Sequence, residues 1–401
     1  MVSPAARPYI DASVAVLREH GVTITTTFYR TMFEAHPELK NLFNMGNQAS
    51  GSQQQSLAAA VFAYAANIDN AAALAPVIER IVHKHVSIGI KPEHYPIVGK
   101  YLLAAIAHTL GDAATPALLS AWDEAYTELA NLFIAAEQQL YGNAKVAAGQ
   151  LREMHVTLVQ RQSEQVISYT LQPMEGQVVP EFTPGQYLSV ALNFEDGSRQ
   201  IRQYSLSDAP DGNSLRISVK REVAVSDRPE GRVSNWLHQH VVAGSILQVS
   251  HPFGEFTPDS ESIEPIVLLS AGVGITPMIA VLNRIAQIHP ERHMIFAHAS
   301  SSPEHHSHLA DIAAAKARMP NLQLIHFYEH ADAATLADGS TRLGRMDVAQ
   351  MPAWPRDETE VYLCGPSGFM QAQWQALLAA GVPALRLHRE VFGPDLLDNV
   401  A

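Results

Sequence analysis

Two histidines stand two residues apart in E-R-I-V-H-K-H-V-S-I-G, at His83 and His85. On a helix such a pair points in nearly opposite directions, so only one can face a core. His85 has Ile81 and Val82 a turn before it and Ile88 and Gly89 a turn after, whereas His83 follows Glu79 and Arg80; His85 is the inward one. An inward imidazole either hydrogen-bonds a neighbour or ligates a metal, and spacing alone leaves both open. Gln53 and Leu57, four apart, share a helix face, while Gln54 and Gln55 point elsewhere. Far along the chain, I-V-L-L-S-A-G-V-G-I-T-P-M-I-A-V-L reads as strand, glycine turn and helix, a unit that binds phosphate through helix N-terminal amides. Gly272 and Gly274 allow close backbone approach there, but Pro277 replaces the third glycine of G-x-G-x-x-G. The run H-H-S-H places His305, His306 and His308 together in what reads as a surface turn without acidic or thiolate partners, so a solvated cluster is expected.

These groups need elements to hold them, and the 401 residues supply three kinds in succession. From Ala5 to Leu140 apolar residues recur at helical spacing; Trp122, Ala125, Tyr126, Leu129, Phe133 and Ala136 form one such face. Tyr141 to Gln150 is small, glycine-containing and aperiodic, which predicts a linker. The period then becomes two: Leu215, Ile217 and Val219 alternate with Arg216, Ser218 and Lys220, the pattern of an antiparallel barrel. From Pro265 short apolar runs such as I-V-L-L and V-Y-L-C-G alternate with helical segments, as buried parallel strands do. The expected architecture is therefore multidomain: all-α over 1–146, antiparallel β-barrel over 150–258, α/β with a parallel sheet over 262–401.

Composition narrows the function classes. A net charge of −13 with no dense Lys/Arg run argues against nucleic acid or an anionic membrane as partner. A single cysteine, Cys364, excludes an internal disulfide framework and a multi-thiolate metal site. Arg7 and Asp11 interrupt any early apolar stretch, so no signal peptide is read and a cytoplasmic location is expected.

The segment F-Y-R-T-M-F-E-A-H-P-E-L-K-N-L-F, followed by Q-Q-Q-S-L and H-K-H-V-S-I-G-I-K-P-E-H-Y-P-I-V-G, resembles the bacterial flavohaemoglobins, and the resemblance runs through the whole chain. It implies a globin whose haem b iron is held by His85, with Phe43 against the porphyrin and Tyr29, Gln53 and Leu57 in the distal pocket. It places Tyr95 and Glu137 beside His85, where a carboxylate accepting the second ring N–H makes the imidazole a stronger donor. Tyr29 is the candidate hydrogen-bond donor to bound dioxygen. Val98 and Lys84 match haem-pocket positions more weakly, and a solvated Lys84 is the commoner case.

G-Q-Y ending at Tyr187, then R-Q-Y-S with Arg202, Tyr204 and Ser205, then G-R-V-S with Gly231, Val233 and Ser234, is similar to the FAD domain of the ferredoxin-reductase family. By that likeness the arginine suits the pyrophosphate, the aromatic lies on the isoalloxazine and the serine bonds its edge. G-V-G-I-T-P resembles the reductase variant of the dinucleotide turn, carrying Gly272, Gly274, Thr276 and Pro277. V-Y-L-C-G-P-S-G-F-M puts Cys364 at a strand end over the nicotinamide site, and L-H-R-E-V-F-G-P puts Glu390 and Phe392 near the flavin, with Arg389 where an aromatic is expected. After M-I-F-A-H-A neither a ribose-binding acid nor a phosphate-binding arginine appears, so NAD(P)H is the expected donor with a lean to NADH.

The resemblance implies a nitric oxide dioxygenase that passes electrons from NAD(P)H through FAD to haem, with dioxygen and nitric oxide as its small-molecule partners. It implies a monomer, and a distal haem pocket that could take a lipid. A peroxide or nitrite reductase, or an oxygen-binding or gas-sensing globin whose reductase keeps iron ferrous, stays open at this point.

Overall fold

The computed structural model describes residues 2–43, 48, 51–68, 70–224 and 229–393, the side chains of 71–73 apart. Among the described residues the first unit holds the helices α1 Arg7–Ala35, α2 Ser52–Ala66, α3 Ala71–Ile88, α4 His94–Leu110 and α5 Pro116–Ala144, with a short 3-10 helix Pro37–Leu42 after α1. α5 starts where Pro116 fixes the first turn and the Thr115 hydroxyl accepts the Leu118 N–H at 3.2 Å. The apolar stripes meet in a core of Ile10, Ile24, Phe28, Met32, Ile106, Trp122 and Ala125. Within it, the one polar atom of Trp122, its indole N–H, donates to Ser13 Oγ at 3.0 Å.

The sequence predicts a linker from Tyr141, but α5 runs through Tyr141 to Ala144. Tertiary contact overrides the weak local pattern there: the Tyr141 hydroxyl donates to the carbonyls of Val86 and Ile90, tying the last turn of α5 to the end of α3. The helix stops only where Lys145 takes a left-handed conformation at φ 54°.

The second unit is a six-stranded antiparallel sheet in the order β4-β3-β6-β1-β2-β5, from β1 Arg152–Arg161, β2 Val166–Pro173, β3 Tyr187–Asn193, β4 Arg199–Ser205, β5 Leu215–Lys220 and β6 Ile246–Val249. A bridge from Leu206 to Ile217 carries the β4 end back onto β5 and curls the sheet around Met154, Tyr169, Leu171, Leu188 and Val190. Leu215, Ile217 and Val219 point into that core. Ser218, expected outward, is buried too, because its hydroxyl pairs with those of Ser168 and Ser207 at 2.8 Å each. One helix, α6 Arg232–His240, packs on this sheet.

The third unit is a six-stranded parallel sheet in the order β10-β9-β8-β7-β11-β12. Its strands are β7 Ile266–Ala271, β8 Met294–Ser300, β9 Leu322–Tyr328, β10 Thr341–Leu343, β11 Glu360–Cys364 and β12 Leu387–Glu390, flanked by α7 Ile275–Ile288, α8 Leu309–Arg318 and α9 Ser367–Ala379. Every residue of β7 is buried, which is why that strand reads as a continuous apolar run. Successive strands step away from β7 on one side before β11 and β12 return on the other, so the topological switch point lies between β7 and β11. Among the described residues no helix is long and apolar enough to cross a membrane.

Candidate functional site

His85 sits in the last turn of α3 with its side chain about 31% exposed, into a cavity of about 1200 Å3 that it lines. Its Nδ1 is 2.8 Å from Glu137 Oε1 and 3.1 Å from the Tyr95 hydroxyl, and the Tyr95 O–H donates to the same carboxylate oxygen. Glu137 is 2% exposed, and burial beside it holds the Tyr95 phenol well above its ordinary range, so Tyr95 stays a donor. A carboxylate only accepts, which assigns the proton to Nδ1 and leaves Nε2 with an open lone pair. That is the donor atom a haem iron requires, and the residues fit the group.

Tyr29 lies buried in an aromatic group, with ring centroids 5.7 Å from Phe33 and 5.7 Å from Phe43. Its hydroxyl bonds to Gln53 and Gln48, while burial raises its pKa and keeps the proton on the phenol. Phe43 and Gln53 line the cavity with His85, whereas Leu57 and Val98 pack into the helical core. Gln48 was not singled out from sequence, and no periodicity marks it. Gln54, expected to point elsewhere, donates to Gln48 Oε1 at 3.0 Å and so supports the residue that meets Tyr29.

The same cavity continues past Tyr187, Arg202, Tyr204, Ser205, Gly231, Val233 and Ser234. Arg202 donates to the Ile201 carbonyl at 2.7 Å and to Gln200 Oε1 at 2.9 Å, and burial lowers its pKa. No carboxylate pairs with it among the described residues, so its charge is open to an anion. Gly231 starts α6, whose first-turn N–H groups have no helical acceptor and whose end carries partial positive charge. Ser234 Oγ donates to the Gly231 carbonyl at 3.1 Å and Asn235 to the Glu222 carbonyl at 2.8 Å, which ties Glu222 to that end. Guanidinium and helix terminus together fit a pyrophosphate.

At the switch point Gly272 takes φ 54° and the turn Gly272–Gly274 leads into α7. A Cβ on Gly274 would collide with the Cys364 carbonyl, so only glycine lets this turn rest on the end of β11. Thr276 Oγ1 donates to the Val273 carbonyl at 3.0 Å, and Thr276 and Val273 line the cavity; Pro277 is buried in the first turn of α7. Cys364 is fully buried and its thiol is pushed up by desolvation and by Glu390 opposite it in the β11–β12 register. Glu390 lines the cavity at 3% exposure, its carboxyl raised to about 8 by burial and by Glu255, against Lys84 and Arg80. Phe392 lines it from a 45% exposed position. Arg389, where an aromatic is expected, lays its guanidinium 5.7 Å from the Trp374 ring centroid, a cation–π contact.

What joins the units is the opposite face of α3. His83 Nδ1 accepts the Gly254 N–H at 2.9 Å, Arg80 pairs with Glu255 at 2.9 Å, and Ser87 Oγ accepts from Gln203 at 2.5 Å. Lys84 is not solvated: its Nζ donates to the Gly393 carbonyl at 2.8 Å, because the segment after β12 crosses α3 there. Residues 80, 83, 84 and 87 form a polar stripe at helical spacing, a signal present in the sequence that marks this docking face.

The expected solvated cluster is corrected. His306 and His308 are buried at 1% and 0%, and only His305 is partly exposed. His306 stacks 4.4 Å from the His298 ring and bonds Tyr328 at 2.7 Å, while His308 Nδ1 meets Asp311 at 2.8 Å and His305 meets Glu164 at 3.4 Å. The chain after β8 folds back over the sheet instead of projecting, and the acidic partners come from Asp311 on α8 and from Glu164 in the β1–β2 turn. Among the described residues no group of three could hold a metal.

Comparison with known proteins matches this arrangement unit by unit. Family models match as globin over residues 26–132, oxidoreductase FAD-binding domain over 153–257 and oxidoreductase NAD-binding domain over 268–375. A flavohemoprotein of Chromobacterium violaceum is 47% identical with 98% of each chain covered, and one of Rhizobium meliloti is 42% identical with 99% of each covered. The crystal structure of a flavohemoglobin from Malassezia yamatoensis with bound FAD and heme superposes at a TM-score of 0.85, at 28% identity, over 98% of this chain and 100% of that one. The FAD/NAD-binding domain of a nitric oxide dioxygenase from Vibrio cholerae is 38% identical, at a TM-score of 0.56, over 61% of this chain and 99% of its own. With its globin, FAD-binding and NAD-binding units in this order and its full-length relatives, the chain is an oxidoreductase of haem, FAD and nicotinamide nucleotide, and it belongs to the flavohemoprotein family.

Proposed function

We propose that this flavohemoprotein is a nitric oxide dioxygenase that converts two nitric oxide and two dioxygen, with one NAD(P)H, into two nitrate, NAD(P)+ and a proton. The observation that carries the reading is the single cavity of about 1200 Å3 lined together by His85 and Phe43, by Arg202 to Ser205, and by Thr276 and Glu390. Bound flavin and haem would supply hydride acceptance, one-electron transfer and oxygen chemistry. In this reading the globin unit spans 1–146, the flavin unit 150–258 and the nucleotide unit 262–401.

In this reading His85 offers Nε2 to the iron while Glu137, oriented by Tyr95, accepts the Nδ1–H and raises the basicity of the ring. Phe43 presents apolar surface to the porphyrin, and Leu57 packs in the helical core on the distal side. Tyr29, held by Gln53, directs its hydroxyl toward a diatomic ligand that carries developing negative charge. Arg202 and the α6 end at Gly231, Val233 and Ser234 bind the flavin pyrophosphate, with Tyr187, Tyr204 and Ser205 against the ring. Gly272, Gly274, Thr276 and Pro277 seat the nucleotide phosphates, and Cys364, Glu390 and Phe392 border the nicotinamide and flavin. The protein works as a monomer in the cytoplasm.

Holoprotein given NADH and nitric oxide in aerated buffer should release nitrate in proportion to the nitric oxide consumed. Peroxide consumption at a comparable rate, with little nitrate, would overturn the assignment.

A further inference from the structure

A second cavity, about 300 Å3, lies in the seam between the helical unit and the β-barrel and shares only Asn41, Leu42, Ile88 and Ile201 with the cofactor cavity. It is walled by the 3-10 helix Pro37–Leu42, the end of α3, the connecting segment 146–151, the start of β4 and the turn 250–253. The connector closes one side because Gly149 rests on Gly89: a Cβ there would stand 2.5 Å from Gly149 Cα, and Gly89 itself has φ 84°. Tyr141 and Phe253, perpendicular at 6.2 Å, form an aromatic wall beside Leu42 and Val146.

Two cations, Arg199 and Lys91, stand among the polar groups of this cavity, and burial lowers the pKa of its histidines His94 and His251, which keeps them neutral. Arg199 Nε is buried with no hydrogen-bond partner, and among the described residues no carboxylate pairs with this guanidinium. The Arg199 main chain is fixed by its N–H donating to Asn41 Oδ1 at 3.1 Å. His251 Nδ1, on the facing turn, is likewise buried without a partner. Lys91 stands exposed at the rim. Glu38, the one carboxylate along the wall, is also exposed and already bonded to His36 at 3.1 Å. A buried guanidinium N–H without an acceptor is costly, and an oxyanion removes that cost. The volume is at the small end of ligand sites, and its apolar walls suit an organic body more than a hydrated inorganic ion.

We propose that this seam cavity binds a small organic carboxylate, with its charge on Arg199, a hydrogen bond from neutral His251, and its apolar body against Leu42, Tyr141, Val146 and Phe253. Such a ligand touches both the globin and the barrel. It therefore binds the docked arrangement more tightly than an undocked one, and by linkage its occupancy tightens the docking.

The test is calorimetric titration of the full-length holoprotein with benzoate, with benzamide as the uncharged isostere. Benzoate is expected to bind saturably, and both benzamide and the Arg199→Gln variant to show affinity lower by roughly 10- to 100-fold, the range for a hydrogen bond to a charged group. His251→Gln, which keeps a donor, should retain most of the affinity. Benzoate should also slow amide exchange in residues 146–151 of the wild type. Absence of saturable benzoate binding, equal affinity for benzamide, undiminished binding by folded Arg199→Gln, or unchanged exchange in the connector would each overturn the proposal.

Discussion

Glu137 Oε1 lies 2.8 Å from His85 Nδ1, so a carboxylate on α5 decides which nitrogen of a histidine on α3 is free. The neighbouring His83 has its own nitrogen committed elsewhere, accepting the Gly254 N–H at 2.9 Å. His85→Ala should therefore lose stable haem, while His83→Ala should keep it and loosen only the docking of α3 on the barrel. Haem-to-protein ratios from absorption spectra check this, and equal ratios in the two variants would refute the iron assignment.

Tyr29 keeps its phenolic proton because burial raises its pKa, and Gln53 and Gln48 hold its hydroxyl in place. Tyr29→Phe should raise the dioxygen dissociation rate by roughly one to two decades, since a hydrogen bond to a charged acceptor contributes about 1.5–3 kcal/mol. Stopped-flow measurement of that rate is decisive; an unchanged value would reduce Tyr29 to a packing role.

Among the described residues Arg202 has only neutral oxygen partners, the Ile201 carbonyl and Gln200. Arg202→Ala should lower FAD retention through gel filtration, whereas Thr276→Ala, at the nucleotide turn, should chiefly raise the KM for NADH. Full flavin content in the arginine variant would count against the pyrophosphate site.

Glu390 offers a pH dependence whose sign is set by its environment. Its carboxyl is raised from 4.5 to about 8, so the folded protein holds a proton that the unfolded chain releases. Stability from this group is full below about pH 4.5 and is lost as pH rises toward 8, at up to about 1.4 kcal/mol per pH unit. Glu390→Gln should remove that loss, so melting temperatures of wild type and variant should diverge as pH rises from 5 to 8. Parallel curves would mean that Glu390 does not carry the buried proton.

The sequence by itself determined the three kinds of unit and their order, because a helical period, an alternating period and short apolar runs are local properties of burial on one face, one side or both. It also determined that His85 faces inward, since its apolar neighbours lie one turn away on each side. Tertiary structure alone decided what the other face of α3 meets. The stripe of Arg80, His83, Lys84 and Ser87 is legible as polar, but its partners Glu255, Gly254, Gly393 and Gln203 come from segments more than a hundred residues away. The same holds for Gln48 beside Tyr29, and for His306 and His308, whose burial depends on a loop folding back over the sheet. Periodicity reports which side of an element avoids water, whereas the identity of a contact depends on how separate elements are brought together, and no local pattern encodes that.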